Sequence, residues 1–141
     1  EELIGSIIRD TNIFITHDVL KELLYRFPEE KKLFHQVTIF PRLNINFEHY
    51  IRLGFDAADA SLLEYNKKKG WPIVTEDHKM LAEGVAKKAA LMQLGDYVGA
   101  LLLNGYLDGR RFQQLIKTLR QMRNITKRKE KELLAVRHRL Y

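Results

Sequence analysis

The sequence predicts an α/β fold: a three-layer α/β/α sandwich around a mainly parallel sheet, with a helical C-terminal extension. Three observations predict it. Short apolar runs at residues 13–16, 37–40, 72–75 and 90–93 alternate with longer segments of helical period. Runs of that length, without polar alternation, suit strands buried on both faces of a parallel sheet. After about residue 106 such runs cease while helical periodicity continues.

Taken in order, residues 1–9 carry Leu3, Ile4, Ile7 and Ile8 on one stripe and read as a helix, ended by the turn residues Asp10, Thr11 and Asn12. A strand at 13–16 leads into a helix with Asp18 as its cap or first-turn acid and Leu20, Leu23 and Leu24 facing inward. Phe27 and Pro28 end it. Residues 29–36 are a short polar helix or loop. Val37 to Phe40 form a strand stopped by Pro41, and Phe47, Tyr50 and Ile51 lie on one side of a short helix.

The next stretch is the most informative. Asp56 stands where an N-cap starts a helix rich in alanine and leucine, and Lys67, Lys68 and Lys69 crowd its last turn before Gly70. Pro72, Ile73, Val74 and Thr75 make a buried strand that stops at Glu76 and Asp77. A helix over 78–88 carries Leu81 and Val85. A strand at 90–93 precedes a helix reaching residues 104–105. The segment 110–123 is amphipathic, with Phe112, Leu115, Ile116 and Leu119 as its stripe. Thr126 caps a last, very basic helix over 127–139.

The chain has 141 residues, 45% hydrophobic and 30% charged, enough for a real core. It contains no cysteine, which excludes disulfides and thiolate metal sites and points to a reducing, cytoplasmic setting. No apolar run approaches the roughly 18–20 residues of a membrane span, and no signal peptide is recognised. The net charge of +6 suits a polyanionic partner. The first residues are Glu1 and Glu2, so further chain is expected upstream.

Asp59 falls one turn into its helix and Asp77 at the carboxyl end of the following strand, where open α/β sheets keep their ligand sites. A helix packed back on its own strand brings both to one sheet edge. Converging carboxylates repel, and a Mg²⁺ or Mn²⁺ ion relieves that repulsion. The plainer reading makes Asp59 a first-turn residue and Asp77 the cap of the helix at His78. Spacing alone leaves both open.

The segment from Ile13 through Thr16 to Glu22 and Leu23, then Ala57, Ala58, Asp59, Ala60, then Thr75, Glu76, Asp77, resembles the PIN-domain family of metal-dependent ribonucleases, which includes toxins of toxin–antitoxin pairs. The likeness runs from residue 1 to about 105. It implies Glu22, Asp59 and Asp77 as the second, third and fourth acids, binding Mg²⁺ or Mn²⁺ and hydrolysing RNA phosphodiesters with a metal-activated water. RNA, an antitoxin protein and a second copy in a homodimer are the partners it implies, with no membrane. The domain would span 1–105, with 106–141 a basic helical extension packed on it.

One departure concerns the first acid, an aspartate closing the family's first strand. Asp10 with Thr11 and Asn12 matches in letters, but too few residues separate it from Glu22 for the intervening helix. Asp10 therefore reads as a turn residue, and the first strand with its aspartate is expected upstream of residue 1.

Around this core, Thr75 is a residue that holds a carboxylate or simply packs, Asp56 a cap or an extension of the cluster, and Glu76 a solvent-facing acid. His17, His35, His49, His78 and His138 show no metal-ligand spacing, and Trp71 marks entry to a strand. Arg110, Arg111, Lys117, Arg120, Arg123, Lys127, Arg128, Lys129, Lys131, Arg137 and Arg139 form either a solvated face or a surface for RNA phosphates. The rival function is a catalytically inactive PIN-like module that binds RNA or protein. A nucleotide-binding regulator is disfavoured, because no Gly-rich loop follows a strand.

Overall fold

The computed structural model describes residues 11–87 and 90–140, with the side chains of 85–87 set aside. The helix expected at 1–9, the turn at Asp10 and the inward Val85 lie outside the described residues. What is described is mixed α/β and mostly helical, and it divides into two compact units, the first up to residue 91 and the second from residue 92.

In the first unit, β1 (Phe14–Thr16) pairs in parallel with β2 (Thr38–Phe40), Phe14 opposite Thr38 and Thr16 opposite Phe40. Between them run α1 (His17–Arg26), a 3-10 turn (Pro28–Glu30) and α2 (Lys31–Phe34). Then come α3 (Phe47–Arg52), α4 (Ala57–Lys69), β3 (Ile73–Val74), α5 (His78–Lys87) and, at the junction of the units, β4 (Leu91–Met92). β3 and β4 make a second small parallel pair, with the Ile73 N–H donating to the Ala90 carbonyl at 3.0 Å. Among the described residues the strands are thus joined as two pairs.

The hub is α4, which packs against α1, α3, β1 and β3. Asp56 caps it by accepting the Asp59 N–H at 2.9 Å. Gly70 ends it at φ 69°, a left-handed turn that glycine adopts without a Cβ penalty. Ala60 and Leu63 join Phe47, Tyr50, Phe55, Ile73 and Met80 in one apolar cluster. Tyr65 stacks parallel to Trp71, and both rings meet Phe14 edge-on.

Three polar side chains on α4 are buried, and each is satisfied. Asn66 donates to the carbonyls of Trp71 at 2.8 Å and Ala90 at 2.9 Å, tying the helix to the second strand pair. Ser61 bonds Thr16, as described below. Glu64, only 1% exposed, accepts the backbone N–H groups of Leu43, Asn44, Ile45 and Asn46 at 3.1, 3.2, 2.7 and 2.8 Å. Asn44 sits at φ 58°, and this left-handed residue lets consecutive amides converge on one anion.

One local expectation is decided and another corrected. The cap of α1 is Thr16, whose hydroxyl accepts the Val19 N–H at 3.3 Å, so of the two roles read for Asp18 the first-turn acid holds and the cap does not. His17 is already helical, which moves Asp18 inside the first turn; its carboxylate takes two bonds from Arg42, at 2.6 and 3.1 Å. The Arg42 guanidinium also lies over the Phe47 ring, 3.7 Å from its centre. β3 is covered on one side only: Ile73 is buried, while Val74 is 40% exposed because side chains alternate along a strand.

The second unit holds α6 (Leu94–Leu103), α7 (Gly109–Gln121) and α8 (Lys127–Leu140). Phe112, Leu115, Ile116 and Leu119 are all buried, as their spacing predicts. α6, assigned from sequence to the end of the first domain, packs on α7 and α8. Gly99 allows its approach to α8, since a Cβ there would stand 3.2 Å from Leu133. Thr126 caps α8, accepting the Lys129 N–H at 3.1 Å. No helix among the described residues is long and apolar enough to cross a membrane.

Candidate functional site

Glu22 stands on α1, Asp59 in the first turn of α4 and Asp77 just beyond β3. The first two helices are registered by a buried pair of hydroxyls. Thr16 and Ser61 are both 0% exposed, with oxygens 2.6 Å apart. Ser61 donates its one proton to the Ala58 carbonyl at 2.7 Å, so the proton between the hydroxyls comes from Thr16. A single directed chain therefore runs from the Val19 N–H through Thr16 and Ser61 to Ala58. Its two ends are the first turns of α1 and α4.

The electrostatics centre on Asp59. Burial, and then the negative charges of Asp56, Asp77 and Glu22, push its carboxyl up from 3.8 to about 6, against a smaller lowering by Lys79. Carboxylates from α1, from the start of α4 and from the end of β3 thus act on one group. Lys79, the one opposing cation among these contributions, donates to the Gly54 carbonyl at 2.7 Å and lies 5.0 Å from the Phe55 ring centre. Sequence reading missed it; its signal was a lysine two residues beyond Asp77, inside the first turn of a helix.

The other two acids have structural partners. Glu22 pairs with Arg26 one turn on, at 2.9 Å. Asp77 caps α5, its Oδ1 accepting the Met80 N–H at 2.8 Å, so the plainer reading of this residue is also true. Thr75 accepts the Asp77 backbone N–H at 3.1 Å and so holds the turn rather than a carboxylate. Glu76 is exposed, as expected. Asp56 is both cap and contributor to the field on Asp59.

Among the described residues no three His, Asp or Glu side chains are gathered as a metal-ligand set. The chemistry of the donors still fits a hard divalent cation. They are all carboxylate oxygens, and the surplus negative field on Asp59 is what such an ion offsets. A cavity of about 430 Å³ elsewhere in the unit, lined by residues including His49, Phe55, Asn66 and Gly84, contains none of these acids.

The raised proton affinity of Asp59 has a definite sign. The unfolded carboxyl ionises near 3.8 and the folded one near 6, so protonation favours the folded state. That advantage is complete below pH 3.8 and is lost as pH rises through 6. Asp59 is only partly buried, and solvent screening reduces the effect to about 1 kcal/mol. Asp59→Asn should therefore be about 1 kcal/mol more stable than the parent at pH 8 and equal to it at pH 3.5, by urea denaturation. Equal stability at both values would mean that neither burial nor the neighbouring acids disfavour the charged form of Asp59.

Comparison with family models, with curated proteins and with solved structures finds no match for this chain.

Proposed function

We propose that this chain is a PIN-type ribonuclease domain in which Glu22, Asp59 and Asp77 hold Mg²⁺ or Mn²⁺ for hydrolysis of RNA phosphodiesters. One observation carries the reading: on top of burial and the nearby Asp56, the charges of Asp77 and Glu22, both distant in sequence, raise the proton affinity of Asp59. The alternation of short parallel strands and helices supports it, and in this reading the two strand pairs belong to one central layer of a three-layer sandwich.

A divalent cation here would supply Lewis acidity, lowering the pKa of water and offsetting charge at phosphorus. The chain's own residues set the conditions. Below about pH 6 a proton competes for Asp59, so cation loading should weaken there. Asp77 is fixed through its backbone by Thr75 and through one carboxylate oxygen by α5, which leaves the second oxygen for a ligand. Releasing Glu22 toward a cation requires only giving up an exposed pair with Arg26, worth little in water.

The same partners favour a second reading, a binding module without catalysis, in which Asp77 and Glu22 do only the structural work seen. Metal response separates the two. Thermal melting at pH 8 should rise by several degrees in millimolar Mn²⁺ and by much less at pH 5, and RNA cleavage should appear with Mn²⁺ and vanish in EDTA. A melting point indifferent to Mn²⁺ at pH 8, with no cleavage, would leave the binding module standing.

A further inference from the structure

The net positive charge of the chain comes from one part of it. Residues 92–141 carry eleven lysines and arginines against four acids, a net +7, whereas residues 1–91 carry thirteen against fourteen, a net −1. Within the second unit the acids of α8 are already engaged. Glu130 pairs with Arg120 at 3.1 Å, and Glu132 pairs with Arg128 at 3.3 Å and with Lys129 at 3.4 Å. Lys129 in turn bonds Asp96 at 2.7 Å, and Arg137 donates to the Gly109 carbonyl.

Apart from the exposed pair of Arg128 with Glu132, one face of α8 presents a row of cations that these acids do not engage. At about 100° per residue, Lys127, Arg128, Lys131, His138 and Arg139 fall within an arc of about 120°. All five are exposed, the Arg128 side chain by 91%. Leu133, buried at 5%, lies on the opposite side. The cations extend over about 18 Å of helix axis, a length along which one strand of a duplex presents about five phosphates. Ala135 is the only apolar side chain on that arc, whereas a lipid-binding helix needs a broad apolar face.

We propose that this face of α8 is a docking surface for an RNA backbone, with Lys127, Arg128, Lys131 and Arg139 contacting phosphates irrespective of sequence. Lys129 takes no part, because it is held by Asp96. Naming RNA as the polyanion rests on the ribonuclease reading above; the isolated cationic row does not.

The test is fluorescence anisotropy with a labelled, mixed-sequence 20-nucleotide RNA, in EDTA so that no divalent site contributes. The plot of log K against log salt is measured from 50 to 300 mM NaCl for the whole chain. The triple variant Lys127→Ala, Lys131→Ala, Arg139→Ala should flatten its slope by about 2 and weaken binding at least tenfold at 100 mM, since each single-strand phosphate contact contributes about 0.7. A control variant, Lys31→Ala, Lys32→Ala, Lys68→Ala, loses the same charge from the other unit and should bind as the parent does. Circular dichroism and melting confirm that both variants fold.

An unchanged slope in the first variant, an equal loss in the control, or binding to phosphatidylserine vesicles in place of RNA would each overturn the proposal. RNA binding without cleavage in Mn²⁺ would remove the nuclease reading and keep this surface. Cleavage with an unaffected salt slope would do the reverse.

Discussion

Asp77→Asn should abolish Mn²⁺-dependent RNA cleavage, by on the order of 10³-fold or more, while the protein still folds. The amide keeps an oxygen where Oδ1 now accepts the Met80 N–H, so the start of α5 survives. What disappears is the charge. Asp59→Asn should behave likewise, because the cap of α4 belongs to Asp56 and the bond it receives comes from the Asp59 backbone. Together the two changes should cost little more than either alone, as residues that share one ion act as a unit. Glu76→Gln, on an exposed neighbour, should retain normal activity. Cleavage that persists in both aspartate variants, or in EDTA, would end the nuclease reading.

Replacing Glu64 should be the most damaging change to stability in the first unit. Four backbone N–H groups converge on its carboxylate, and the side chain is 1% exposed. Glu64→Gln keeps the shape but turns an amide NH₂ toward two of these donors, which should cost about 2–4 kcal/mol. Glu64→Ala removes every acceptor and should cost about 4 kcal/mol or more, enough to unfold a domain of ordinary stability. Urea denaturation at pH 7 checks both. A loss under about 1 kcal/mol for alanine would show that water replaces the carboxylate freely.

Glu64 also marks the limit of what the sequence discloses. The stripe of Phe112, Leu115, Ile116 and Leu119 was legible because helical period and burial are the same statement there. The caps Asp56 and Thr126 were legible because their partners lie three residues on. The partners of Glu64 are main-chain amides about 20 residues earlier, and amides leave no trace in residue identity. Asp18 was legible as a cap or a first-turn acid, and what decides for the latter is the preceding Thr16 as cap together with Arg42, far along the chain. Asp59 and Asp77 were singled out by their place within a helix turn and after a strand, and Glu22 by the family resemblance. The cap role of Asp77 was legible too, its partner lying three residues on, whereas the opposition of Lys79 follows only from packing. The pairing of β1 with β2, in its register, was likewise beyond a one-dimensional pattern.

The directed chain through Thr16 and Ser61 gives the acids a shared fate. Glu22 and Asp59 belong to helices whose first turns meet at one dry contact, and reversing the bond between the hydroxyls would cost Ser61 its Ala58 carbonyl. Sliding the helices past one another would break this buried bond and leave its polar atoms unpaired. The spacing between the acids is then expected to hold while the unit is folded and to be lost with it. During thermal unfolding the response to Mn²⁺ should disappear at the same midpoint as the near-ultraviolet signal of Trp71, with no earlier step of its own.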